Sequence, residues 1–139
     1  MKEPVWIDMR DALAIHDRML ALHGGAEGIR DQTLLESALA RPRQVYAYAE
    51  NPALADLGAA LVAGVVKNHP FVDGNKRTGF LLGVLFLELN GSKFVAKEED
   101  AAQAVLSLAA GTLEEAEFKN WLNDNVVGQT RCSARMKPN

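Results

Sequence analysis

The sequence predicts an all-α fold: a compact helical bundle around a buried central helix, with at most a short β hairpin or flap. Three observations lead there. Apolar residues recur at helical spacing along almost the whole chain. A length of 139 residues with no internal repeat suits one hydrophobic core and is short for two. An apolar share of 48% and a charged share of 24% are those of a globular domain rather than a disordered chain.

A first helix is predicted from about Asp8 to His23, with Ile15, Met19 and Leu22 on its apolar stripe. Gly24-Gly25 ends it, as glycine does where a left-handed cap is needed. Asp31 reads as the N-cap of a second helix that carries Leu34, Leu35, Ala38 and Leu39 and stops before Pro42. Residues 41–52, with Pro42, Val45, Tyr46 and Tyr48, show no clear period and read as an irregular loop with short extended pieces. Asn51-Pro52 then starts a third helix, with proline at the first helical position, running to about Lys67. Leu54, Leu57, Leu61 and Val65 share one face of it, and Ala59, Ala60, Ala63 and Gly64 let a neighbour approach closely. That combination predicts a central position.

A loop from Asn68 to Gly74 leads into an apolar helix from about Asn75 to Asn90, closed by Gly91. Phe80, Leu81, Leu82, Val84, Leu85, Phe86 and Leu89 leave it few solvent-facing positions, which predicts the buried core helix. Residues 92–97 fit a short strand. Glu98, Glu99 and Asp100 suit the first turn of a further helix, where the dipole favours negative charge. Thr112, with Glu115 three residues on, predicts a capping box for a last helix bearing Phe118, Trp121 and Leu122. A single domain is therefore expected over residues 1–127. Residues 128–139 lack apolar periodicity and are expected to form a disordered tail.

The net charge of −3, with interspersed signs, argues against direct nucleic-acid binding or attachment to a membrane surface, which need a cationic footprint. The most apolar stretch, Leu81 to Leu89, is far shorter than the roughly 20 residues that span a bilayer. The first residues carry charge and lack the apolar run of a signal peptide. Cys132 is the only cysteine, so an intrachain disulfide and a zinc cluster are both excluded, and a cytoplasmic location is expected.

Chemistry concentrates where a polar, glycine-bearing loop enters the apolar helix. The first N–H groups of a helix lack internal partners, and the dipole leaves positive potential there. Gly74 permits close backbone approach, Asn75 sits at the helix start, and Lys76 and Arg77 add two positive charges. Together they make an anion site suited to phosphate, with Thr78 completing the run. His69 stands ready to take a proton from a hydroxyl, and Asp73 to hold a divalent ion bridging phosphate oxygens. Each piece has an ordinary structural explanation by itself: a loop histidine, an Asp-Gly turn, a solvated first turn. Phe71 reads as a core anchor for the loop. A merely structural loop has no need of all these types beside a buried helix, and the set describes a phosphate-transfer site.

The segment HPFVDGNKRTG, from His69 to Gly79, resembles the motif of the Fic superfamily, His-Pro-Phe-x-(Asp/Glu)-Gly-Asn-Gly-Arg with a second arginine three positions later. It departs in two places: Lys76 stands where AMP-transferring members have glycine, and Phe80 stands where the second arginine would be. Both departures match the death-on-curing (Doc) branch. The stretch from Ile15 to Pro42 and LNGSKF after the apolar helix resemble that branch as well, so the likeness covers roughly residues 5–125.

The resemblance implies a toxin of a type II toxin–antitoxin system that uses ATP and Mg2+. His69 would be the general base, Asp73 would place the metal, and Gly74, Asn75, Lys76, Arg77 and Thr78 would hold the nucleotide. It further implies transfer of the γ-phosphate to a hydroxyl of a translation factor such as elongation factor Tu, which blocks protein synthesis. AMP transfer is the alternative, since Pro70 and Gly74 match that branch. An inactive interaction module and a metal hydrolase built on His69 and Asp73 are weaker rivals; the hydrolase has two candidate ligands where catalytic zinc needs three. No internal (Ser/Thr)-x-x-x-Glu-(Gly/Asn) inhibitory signature exists: Glu27-Gly28 and Glu50-Asn51 are preceded by His23 and Tyr46 at the hydroxyl position. Inhibition is therefore expected in trans, from a Phd-like antitoxin. Tyr46 and Tyr48 fall in the segment resembling the target-docking flap. His16 and His23 are expected at the surface, Gly28 to Asp31 as a helix-start turn with Arg30 free to meet a target, and Trp6 and Trp121 in core or rim packing.

Overall fold

A helix can be surrounded on all sides only if its neighbours can come close, and small side chains permit this. In the computed structural model, which describes residues 3–128, that helix is α3 (Leu54–Asn68). From Leu54 to Val66 every residue except Asp56 is buried. α2 (Gln32–Tyr48), α4 (Asn75–Leu89), α5 (Glu98–Ala110) and α6 (Glu115–Asp124) pack on it, α1 (Met9–His23) packs on α4, and there are two three-residue strands, β1 (Ser92–Phe94) and β2 (Val126–Gly128). The all-α expectation holds. A Cβ on Gly64 would lie 3.1 Å from the Ala38 Cα of α2, and one on Gly79 would lie 3.1 Å from Val66 Cγ2, so α2 and α4 both rest close on α3.

α4, expected to be the buried core helix, is instead buried along one face: Asn75, Thr78, Gly79, Leu82, Gly83, Phe86 and Leu87. Leu89 is exposed, while Phe80, Leu81, Val84 and Leu85 are half-buried. Its closest helix approach is at the Gly79–Gly83 seam with α3. The outer face is covered partly by an aromatic row in which Phe80 packs edge-on against Phe94 at 5.2 Å, Phe94 meets Trp121, and Trp121 meets Phe118. Trp6 lies against Phe86 and Tyr46, so both tryptophans pack as expected.

The loop expected over residues 41–52 is largely helical, because α2 runs through Pro42 to Tyr48. Proline in a helix interior costs about 3 kcal/mol relative to alanine. Tertiary contacts offset that cost. Pro42 is itself buried, and Val45 and Tyr46 pack on the core. Arg41 donates to both Glu115 oxygens at 3.0 and 2.8 Å and to the Ala60 carbonyl at 3.2 Å. The flap-like segment is therefore a helix end, with Tyr48 88% exposed. α3 starts at Leu54 rather than at Pro52; Asp56 accepts from the Ala53 N–H at 2.9 Å.

Other boundaries shift for local reasons. Asp8 and Asp11 cap α1 reciprocally, each carboxylate accepting the other's N–H. The buried stripe of α1 is Ala12, His16 and Met19, and Leu22 is exposed. Thr112 closes α5, giving its N–H and hydroxyl to the Ser107 carbonyl, so α6 is capped by Glu114 with Glu117 instead of Thr112 with Glu115. That leaves Glu115 free to reach Arg41. The predicted strand is confined to β1, which pairs antiparallel with β2, Lys93 opposite Val127. Gly128, expected to open the tail, is the last residue of β2. Residues 129–139, with Cys132, lie outside the described residues. No helix among the described residues is long and apolar enough to cross a membrane.

Candidate active site

His69 is the C-cap of α3, in the left-handed conformation at φ 54° and ψ 51°. The chain turns there and runs as Pro70-Phe71-Val72 before Gly74, also left-handed, starts α4. The loop takes its support from the α1–α2 connection. Ile29 and Phe71 form an isolated antiparallel bridge, the Val72 N–H donates to the Gly28 carbonyl, and Arg30 and Asp31 both donate their N–H to the Pro70 carbonyl. The Arg30 side chain donates through Nε to the His69 carbonyl at 2.7 Å and through Nη2 to the Asn68 carbonyl at 2.8 Å. Residues 28–31 are thus more than a helix-start turn, and Arg30 faces the chain's own backbone.

Phe71 is fully buried, as expected of a loop anchor. His16, expected at the surface, is 3% exposed and stacks on Phe71 with ring centroids 3.8 Å apart. Its Nε2 lies 2.8 Å from the Asp73 carbonyl, so the ring donates there. Position i+4 from Ala12 and i+3 to Met19 placed this histidine on the buried stripe, a signal the apolar reading of that stripe passed over. His23 is exposed, as expected.

Asn75 turns inward. Its side-chain oxygen accepts the Phe71 N–H and its nitrogen donates to the Phe71 carbonyl, both at 2.9 Å. Those two bonds settle which end of the amide is nitrogen. The same nitrogen lies 3.1 Å from His69 Nδ1, so Nδ1 is the acceptor and a neutral ring carries its proton on Nε2. Thr78 is also inward: it is fully buried, and its hydroxyl has no hydrogen-bond partner among the described residues.

Lys76 and Arg77 are exposed and form no ion pair with any described residue. No acceptor among the described residues takes the N–H of Asn75, Lys76 or Arg77, so the start of α4 offers three free amide donors beside two cations. Asp73 is exposed but partly engaged, accepting the Gly74 N–H at 2.9 Å and the Ala26 N–H at 3.2 Å. A Cβ on Gly25 would sit 2.8 Å from Asp73 Oδ2, which explains a second glycine after α1 better than helix termination does.

An open cleft of about 520 Å3 lies between the C-terminal ends of α3 and α5 and the start of α4. Lys67, His69 and Lys76 make its basic side; Val66, Leu106, Leu108 and the Ala109–Gly111 segment make its apolar side. Lys67 is a further cation that the motif-based reading missed. Asp73, Arg77 and Thr78 are not among the cleft's lining residues. The structure therefore brings His69 and Lys76 together at one mouth, holds Asn75 inward against His69 Nδ1, sets Asp73 against the 24–28 segment, and buries Thr78 beneath.

The chain is similar to known proteins. Toxin Doc of Mycolicibacterium smegmatis is 39% identical over 89 residues, covering 63% of this chain and 68% of that protein. Protein kinase doc of Escherichia phage P1 is 29% identical over 107 residues, covering 77% of this chain and 84% of that protein. The Fic/DOC family pattern matches residues 6–87, a span that includes the loop, its α1–α2 support and the whole of α4 short of its last turn. With a family pattern that spans more than half of the chain, this chain belongs to the Fic/DOC family.

Proposed function

We propose that this chain is a toxin kinase that moves the γ-phosphate of ATP to a hydroxyl of a translation factor similar to elongation factor Tu. The carrying observation is what stands one turn into α4. Phe80 packs edge-on against Phe94 in the aromatic row, so that face of the helix has no second cation to hold phosphates beyond the anion site. Lys76, by contrast, lines the cleft beside His69. Lys67 and Lys76 at that mouth, with no cation at position 80 one turn on, suit capture of a terminal phosphate better than an internal one. The names of the two relatives, a toxin and a protein kinase, support the same reading.

The target hydroxyl would lose its proton to His69 Nε2 while its oxygen bonds to the γ-phosphorus and ADP leaves. Accepting that proton requires the Asn75–His69 bond to open first, so that Nδ1 can carry the ring's own proton. The free amides of α4, with Lys76 and Arg77, would take up charge on the transferring oxygens. Asp73 fits a Mg2+ site: it is the exposed carboxylate of the loop, with lone pairs left after two backbone bonds. Bound there, the ion would neutralise phosphate charge. Restraint by a separate Phd-like antitoxin follows from the same reading.

The test is incubation with Mg2+ and bacterial lysate, comparing ATP labelled at the γ- and α-phosphate. Label from the γ position alone is expected, reduced roughly 10²–10⁴-fold in His69→Ala. Label from the α position would establish AMP transfer instead. No label from either, with folded protein free of antitoxin, would leave an inactive binding module.

A further inference from the structure

We infer that Arg30 is a positioning residue for the reaction: it holds the His69 backbone in the left-handed conformation that aims the ring at the cleft. The inference rests on the reading of His69 as the reacting group. A non-glycine residue at φ 54° costs on the order of 1–2 kcal/mol and persists only where its surroundings over-determine it. At His69 the surroundings are three consecutive carbonyls, of Asn68, His69 and Pro70. All three are taken by one short segment: the first two by the Arg30 guanidinium, the third by the Arg30 and Asp31 N–H groups. These are also carbonyls at the C-terminal end of α3, where helix groups lack partners and the dipole favours a cation.

Arg30 suits this work in a way lysine cannot match. Its planar fork reaches two neighbouring carbonyls through two nitrogens at fixed geometry, whereas an ammonium is a single point. The segment that bears it is fixed at both ends, by the Ile29–Phe71 bridge and by Asp31, which caps α2 through the Leu34 N–H. The Arg30 guanidinium is spent on the His69 and Asn68 carbonyls, so it acts on the chemistry through the His69 backbone and not by touching substrate. A rigid backbone matters more here because the ring must change partners, leaving Asn75 to accept a proton.

The experiment compares wild type, Arg30→Met and Arg30→Lys in γ-label transfer to lysate protein, at saturating and at limiting ATP with Mg2+. Methionine keeps most of the aliphatic stem and loses every donor. The maximal rate should fall ten- to a hundredfold in Arg30→Met with the KM for ATP within twofold, and Arg30→Lys should lie between. An unchanged maximal rate, or a raised KM at full rate, overturns the inference. A second readout needs no activity: the 15N resonances of the His69 ring should move in Arg30→Met while those of His23 stay. Should that variant fail to fold, slow solvent exchange of the Arg30 Nε–H in wild type supports the clamp and fast exchange overturns it. Wild type that transfers no γ label removes the kinase reading, and the ring and exchange measurements still decide the role of Arg30.

Discussion

Asn75 and Lys76 are neighbours in the chain, yet one is 3% exposed and the other open to solvent. The division runs through the motif. Asn75 and Thr78 face the protein, Lys76 and Arg77 face outward, and His69 links the two sets through Nδ1. The two classes should fail differently. Asn75→Ala strands the Phe71 N–H and carbonyl in a buried place, each worth roughly 1–3 kcal/mol when unsatisfied. A loss on the order of 2–4 kcal/mol in denaturant unfolding is expected, together with loss of activity. Arg77→Ala touches no internal contact and should leave stability within about 0.5 kcal/mol while abolishing transfer. Equal stability of the two variants would show that Asn75 is not the fastener the hydrogen bonds describe. The polar residue types of the loop were legible in the sequence, but which way each side chain turned was not, because that depends on where Phe71 and His16 lie.

At the scale of elements, glycine spacing decided more than hydrophobic content. α4 has the longer run of bulky apolar residues, but α3 holds the centre because Ala59, Ala60, Ala63 and Gly64 let others approach. The α3–α4 contact closes through Gly79 and Gly83; an added Cβ at Gly83 would overlap the Val62 Cγ2 methyl of α3. Gly83→Ala should therefore destabilise by roughly 1–3 kcal/mol through overpacking, although alanine is the better helix former. A rise in melting temperature would refute the close seam. Pro42 teaches the converse. Proline is a fair stop signal from local sequence, and here distant partners, Ala60 and Glu115 gripping Arg41, carry the helix past it.

Over the whole molecule, core residues from Ile7 to Val126 join one buried cluster, and α6 is tied to it in two ways. Phe118 and Leu122 are buried, and the Arg41–Glu115 pair spans α2 and α6 with both side chains about one-third exposed, at 32% and 34%. Magnitudes separate them. Phe118→Ala should cost about 3–5 kcal/mol, whereas Glu115→Ala should cost about 1 kcal/mol or less and less still in high salt. Comparable losses in denaturant titration would mean that α6 is held by charge rather than by burial.

By itself the sequence determined the helical class, most helix positions and the family. All of these depend on local order: apolar period, caps, glycine punctuation and a contiguous motif. Tertiary structure alone decided that α2 continues through Pro42, that His16 reaches the Asp73 carbonyl, and that Arg30 grips the backbone of His69. Each depends on groups at least nineteen positions apart, from Arg41 and Ala60 to His16 and Asp73. Contacts at that range form only when packing brings the segments together, and no periodicity along the chain encodes the direction in which a side chain will find its partner.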